Sequence, residues 1–160
     1  MKKYKNHTLK EYLDCLSLRT PVPGGGSAAA LTGALGVSLI SMVANYSLGK
    51  SQHKATEDKI QKIIKESQVI KNRLLELVDL DAQAYLKVAA TRKAPAKVKQ
   101  LAQREAQKVP LEVCRLSYKA IELTPFLVEK GNKYLLSDVV VAVEMLFAAF
   151  KAALVLTKEN

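Results

Sequence analysis

The stretch Pro21–Lys50, PVPGGGSAAALTGALGVSLISMVANYSLGK, decides the fold. Three consecutive glycines follow two closely spaced prolines, and no charged side chain occurs from Thr20 to Gly49. Prolines and glycines so placed end regular structure and permit a sharp turn. From Ser27 to about Leu48 the pattern predicts a helix whose faces are nearly all apolar or small, with Ser27 available as its N-cap. Such a helix has to be covered, by protein or by lipid. It is long enough to cross a bilayer. However, Ser27, Thr32, Ser38, Ser41, Asn45 and Ser47 interrupt it, which favours the centre of a helical bundle or a subunit interface. The rows Ala29, Gly33, Gly36 and Ala30, Ala34 fall at helical spacing and let a neighbouring backbone approach closely.

Before this stretch, Thr8-Leu9-Lys10-Glu11 reads as a capping box opening a short helix, Leu9 to Leu18, with Leu9, Tyr12, Leu13 and Leu16 on one face. Beyond it, from about Ala55, Ile60, Ile63, Ile64, Ile70, Leu74, Leu77 and Val78 recur at three- and four-residue steps, so a long amphipathic helix is expected as far as the Arg92-Lys93-Ala94-Pro95 break. Another begins near Ala96 and meets Pro110, where a kink is expected, then a break at Thr124-Pro125 and an end at Gly131. A last apolar helix is expected to open at Ser137-Asp138, which read as its N-cap pair. No strand alternation and no fixed-period repeat occurs. The reading is all-α: one multihelical bundle, residues 1–160, around a buried small-residue central helix.

The formal charge of +10, from 25 basic and 15 acidic side chains, suits an anionic partner without choosing one. The basic positions are spread along two helices, without the clustered arginines or stacking aromatics of a nucleic-acid stripe, so neither nucleic acid nor membrane is the expected partner. Cys15 and Cys114 lie in apolar patterns without metal or redox spacing, as expected of reduced core residues in the cytoplasm. The N-terminus lacks an apolar signal core.

There is no phosphate-binding loop, dinucleotide fingerprint or metal motif. His7 and His53 stand alone and read as surface side chains. Gly24-Gly25-Gly26 before a helix can be a tight packing turn or a nest of N–H groups for an anion, and the residues alone leave both open. Lys50 suits the C-terminal end of a helix dipole. Asp79 and Asp81, in ELVDLDAQAY, are two apart, so at most one is expected to enter a core or cleft.

TPVPGGGSAAALTGALGVSLISMVANYSLGK resembles the opening motif of the cyclodeaminase/cyclohydrolase family, which includes the C-terminal domain of formiminotransferase-cyclodeaminase and bacterial methenyltetrahydrofolate cyclohydrolases. ELVDLDAQAY, VPLEV and EKGNKYLLSDVVVA continue the resemblance in the family's order. It implies an all-helical homodimer with a folate cleft near the subunit interface, acting on a tetrahydrofolate derivative, in polyglutamylated form too, with no cofactor beyond it. The reaction implied is either cyclodeamination of 5-formiminotetrahydrofolate or cyclohydrolysis of 5,10-methenyltetrahydrofolate. By motif position Asp81 is the implied acid/base, with Gln83 and Tyr85 beside it. Gly24, Gly25, Gly26, Ser27, Lys50, Ser137 and Asp138 are the implied substrate-binding residues, and no metal is implied.

The chain departs from the family pattern in several places. The segment between Tyr85 and Pro110 is short and lacks an expected Leu-Pro-Lys. Val140 replaces a common glycine, and Leu156 takes the place of the first asparagine of an NVxxN pattern whose second is matched by Asn160. Relatives continue into further helix, so a domain truncated at its C-terminus is expected. A catalytically silent folate-binding or helical dimer scaffold is the alternative.

Overall fold

In the computed structural model, which describes residues 3–158, every regular element is helical. A 3-10 turn at Tyr4–Asn6 precedes α1 (Leu9–Ser17), α2 (Gly25–Ser47), α3 (Lys54–Ala90), α4 (Ala96–Ile121) and α5 (Thr124–Lys130); a second 3-10 turn, Lys133–Leu135, leads into α6 (Leu136–Lys158). Asn160, in the expected distal motif, lies outside the described residues.

The central helix is α2, packed chiefly against α3 and α6 and less extensively against α4. Ala30, Val37, Ile40, Val43 and Ala44 are fully enclosed, facing a core that includes Leu74 and Leu77 of α3, Ala120 of α4, and Ala142 and Leu146 of α6. Each large aliphatic side chain so buried contributes roughly 1.5–3 kcal/mol. The small-residue row works as its spacing suggests. A Cβ on Gly36 would come within 2.8 Å of Leu146 Cγ and 3.0 Å of the Ala142 carbonyl oxygen, so α6 approaches α2 over a position without a side chain.

Several boundaries differ from the sequence expectation. α2 starts at Gly25 with Gly24 as its cap and no side-chain cap hydrogen bond, so Ser27 lies inside the first turn and is not the N-cap. The capping box of α1 is present, Thr8 N–H donating to Glu11 Oε2 at 2.7 Å and Glu11 N–H to Thr8 Oγ1 at 3.2 Å. Its expected apolar face is covered only in part: Tyr12 is buried and Leu16 packs against the core, but Leu9 and Leu13 are 74% and 60% exposed. α4 runs on through Pro110. Ser137 and Asp138 are not caps either, because α6 already begins at Leu136; the preceding 3-10 turn is capped by Asn132, whose Oδ1 accepts the Tyr134 N–H at 3.1 Å.

α6 runs antiparallel to α2. Its start is fastened to the end of α2 by the Asn132 N–H donating to Ser47 Oγ at 2.8 Å, and Leu156 near its other end reaches the Gly24–Gly26 turn. By length and composition α2 and the stretch Lys133–Thr157 would each suffice to cross a membrane. α2 is the more buried of the two, although Leu35 and Tyr46 are exposed, whereas α6 leaves Val140, Val141, Phe147 and Val155 about half exposed.

Candidate active site at the start of the central helix

A cavity of about 470 Å³ opens where the N-terminus of α2 faces the middle of α3. Gly24, Gly25 and Gly26 form one wall, Asp81 and Tyr85 of α3 another, with Pro110 of α4 and Leu156 of α6 closing it. The first intrahelical bond of α2 is donated by Ala28 N–H to the Gly24 carbonyl at 3.1 Å, so the N–H groups of Gly25, Gly26 and Ser27 precede the ladder. The Ser27 N–H is taken by Asp81, whose Oδ2 accepts it at 2.9 Å. Gly26 makes this approach possible, since a Cβ there would overlap the Asp81 carboxylate. The glycine joint is therefore both a close-packing turn and a donor site.

Burial pushes the Asp81 carboxyl above its ordinary value, and the Ser27 N–H pulls it partly back. A group so placed can hold a proton nearer neutrality than a solvated carboxyl and exchange it with a ligand in the cavity. Behind Ser27, its hydroxyl and that of the buried Tyr12 are 3.0 Å apart.

Asp79 is also covered, so the expectation that at most one of the two aspartates leaves solvent is corrected. They face different surroundings: Asp81 lines the cavity, while Asp79 is enclosed beneath the N-terminal turn, its Oδ1 accepting the Tyr4 N–H at 2.7 Å. Tyr85 shares the cavity with Asp81, but Gln83 lines a separate groove of about 710 Å³ between α3 and α4. Tyr12 was not legible as a site residue, since it reads in sequence as one more apolar position, and nothing in the basic stretch around Tyr4 marks that residue.

The other predicted residues are elsewhere in this chain. Lys50 is exposed beyond the C-terminal end of α2, and Ser137 and Asp138 occupy the first turn of α6 at that same end. The 23 residues of α2 span roughly 34 Å, which separates them from Gly24–Gly26 and Asp81. Sequence order gave no sign of this, because it is the antiparallel course of α6 that gathers them at the far end. No group of three or more His, Cys, Asp or Glu side chains able to hold a metal occurs among the described residues.

The family model described as formiminotransferase-cyclodeaminase matches residues 8–160. The chain belongs to that family. Within the formiminotransferase-cyclodeaminase family, it is similar to a methenyltetrahydrofolate cyclohydrolase of Methylorubrum extorquens, 33% identical over 92% of this chain and 76% of the relative. It is also similar to the formimidoyltransferase-cyclodeaminase of Rattus norvegicus, 29% identical over 87% of this chain but only 28% of that longer protein. The crystal structure of a formiminotetrahydrofolate cyclodeaminase from Thermotoga maritima superimposes with a TM-score of 0.94 at 31% identity, over 98% of this chain and 79% of that one. The family match takes in every candidate residue above, while Tyr4, which holds Asp79, precedes it.

Proposed function

We propose that this protein is a folate one-carbon enzyme, a 5-formiminotetrahydrofolate cyclodeaminase or a 5,10-methenyltetrahydrofolate cyclohydrolase, with Asp81 as general acid/base. The observation that carries the reading is the partly buried Asp81 carboxyl, held by the first turn of α2 at the edge of a cavity in a chain of this family. The names of its relatives support the substrate class.

In cyclodeamination, N10 attacks the formimino carbon and the C–N bond to the departing nitrogen breaks. The N10 proton passes to that nitrogen and the protonated Asp81 gives it a second, so ammonia leaves and the methenyl bridge closes. In cyclohydrolysis, the Asp81 carboxylate takes a proton from water as its oxygen bonds to the methenyl carbon. Asp81 returns that proton to N5 as the C–N5 bond breaks, and the carbinolamine hydroxyl loses its proton to give the 10-formyl product. A carboxyl raised by burial is suited to both directions of transfer. The free N–H groups of Gly25 and Gly26 bind and polarise the substrate.

The site is completed by a second copy of the chain. Asp81 and the Lys50, Ser137, Asp138 group lie at opposite ends of α2, and the apolar side chains Leu35, Val140, Val141, Phe147 and Val155 are exposed along α2 and α6. A two-fold pairing across these antiparallel faces covers them and sets the Lys50 end of one protomer against the Asp81 end of its partner. Lys50 then neutralises a glutamyl carboxylate, of one glutamate or of a polyglutamate tail, while Asp138 hydrogen-bonds the pterin amidine edge and Ser137 supports it.

Purified protein incubated with each folate in turn, with binding measured in parallel, tests the reading. Turnover of either substrate supports it. Tight folate binding without turnover favours a silent binding scaffold, and no binding of folate overturns both.

A further inference from the structure

The first helix delivers a hydroxyl to the site. Tyr12 is the buried residue of α1, at 4% exposure, while its neighbours Leu9 and Leu13 remain in solvent. The Tyr12 hydroxyl lies 3.0 Å from Ser27 Oγ, itself fully enclosed, and the Ser27 N–H donates to Asp81 Oδ2 at 2.9 Å. The Tyr12 ring is held edge-on by Tyr4 at 6.5 Å between centroids. α2 has no side-chain cap, and Gly24, Gly25 and Gly26 offer no side chain by which its first turn could be fixed. Glycine backbone is also the most mobile. Ser27 is the first residue of α2 with a side chain that can be gripped, and Tyr12 grips it.

We propose that Tyr12 is a positioning residue: its hydroxyl contact with Ser27 fixes the first turn of α2 and so the direction of the N–H that Asp81 accepts. This rests on the reading of Asp81 as the acid/base. Tyr12 does not line the cavity, so it acts through Ser27. A phenylalanine would fill the same space, which separates the role of the hydroxyl from that of the ring. The titratable groups around Asp81 are few. Tyr85 shares the cavity, Tyr12 stands behind Ser27, and Asp79 on the same helix is enclosed beneath the N-terminal turn. From α4 and α6 the cavity receives Ala106, Pro110 and Leu156.

The test titrates the Asp81 carboxyl by carbon-13 NMR in wild type, Tyr12→Phe, Ser27→Ala and the double variant, with kcat and KM alongside. Loosening the Ser27 N–H removes an influence that lowers the Asp81 titration midpoint, so Tyr12→Phe is expected to raise it by about half a pH unit. A fall in kcat of roughly three- to ten-fold accompanies it, with KM changing less. Ser27→Ala gives a shift in the same direction, and the double variant adds little. Should Tyr12→Phe fail to fold, Ser27→Ala alone carries the measurement. A titration superimposable on wild type in either folded variant overturns the proposal, whatever the activity. A shifted titration in a protein that turns over neither folate supports the positioning role and removes the proposed reaction instead.

Discussion

Gly26 lies directly against Asp81: the space a Cβ would occupy on the glycine is already filled by the aspartate carboxylate. The most conspicuous feature of the sequence is thus tied to the carboxyl that lines the cavity. Gly26→Ala is expected to push that carboxylate aside and lower turnover at least about 100-fold, since a misplacement of an ångström has that effect. Gly24→Ala, where a Cβ meets nothing within 4 Å, serves as the folding control. Steady-state rates and melting curves of both variants check this, and near-wild-type turnover in Gly26→Ala would contradict it.

A second prediction concerns stability against pH. Burial raises the Asp81 carboxyl, with the Ser27 N–H opposing in part, so the folded protein holds this proton more tightly than the unfolded chain. Stability is then complete below the unfolded value, about 3.9, and declines as pH rises through the higher folded value. Asp81→Asn removes that decline. Its melting temperature should exceed wild type at pH 7, and the gap should close towards pH 4. A gap that widens on acidification would contradict the assignment.

The two glycines in the middle of α2, Gly33 and Gly36, should behave differently. A Cβ at Gly33 would meet the flexible Leu74 methyls at 3.3 and 3.4 Å, a clash relieved by a small rotation. Replacing glycine by alanine in a helix stabilises by about 1 kcal/mol, so Gly33→Ala is expected to be neutral or slightly stabilising. At Gly36 the obstacle includes the Ala142 backbone, which yields only if α6 moves. Gly36→Ala should be destabilising by roughly 1–3 kcal/mol, read from denaturant unfolding.

Shared sites predict complementation. If Asp81 comes from one protomer and Lys50 from its partner, Asp81→Asn and Lys50→Ala are each inactive as homodimers. Mixing them by unfolding and refolding should restore roughly a quarter of wild-type activity, because half the dimers are mixed and each holds one intact site. No recovery, with mixed dimers demonstrated, would place both residues' functions within single protomers.

Most of the helical architecture was legible because periodicity and turn residues report burial directly. The uncharged face-all-round pattern of Ser27–Leu48 could only be a covered helix, and α3 followed its three- and four-residue apolar steps to the Arg92–Pro95 break. The site was legible in part. Asp81 and the glycines stood out, but the Ser27–Asp81 hydrogen bond that brings them together joins positions 54 residues apart and has no local signature. Ser27 looked like a cap because its hydroxyl is a good acceptor. In the fold that hydroxyl is taken by Tyr12, whose own sequence context is that of an ordinary apolar residue. Lys50 and Asp138 were grouped with Asp81 by motif, and only the antiparallel course of α6 shows that one chain separates them.

The most direct test follows the absorbance of the methenyl chromophore when purified wild-type protein and Asp81→Asn each meet 5-formimino- and 5,10-methenyltetrahydrofolate. The predicted result is a change with at least one substrate in wild type, reduced at least about 100-fold in a folded Asp81→Asn. Equal rates in the two proteins would contradict the central role of Asp81, and no change with either substrate in wild type would contradict the proposed chemistry itself.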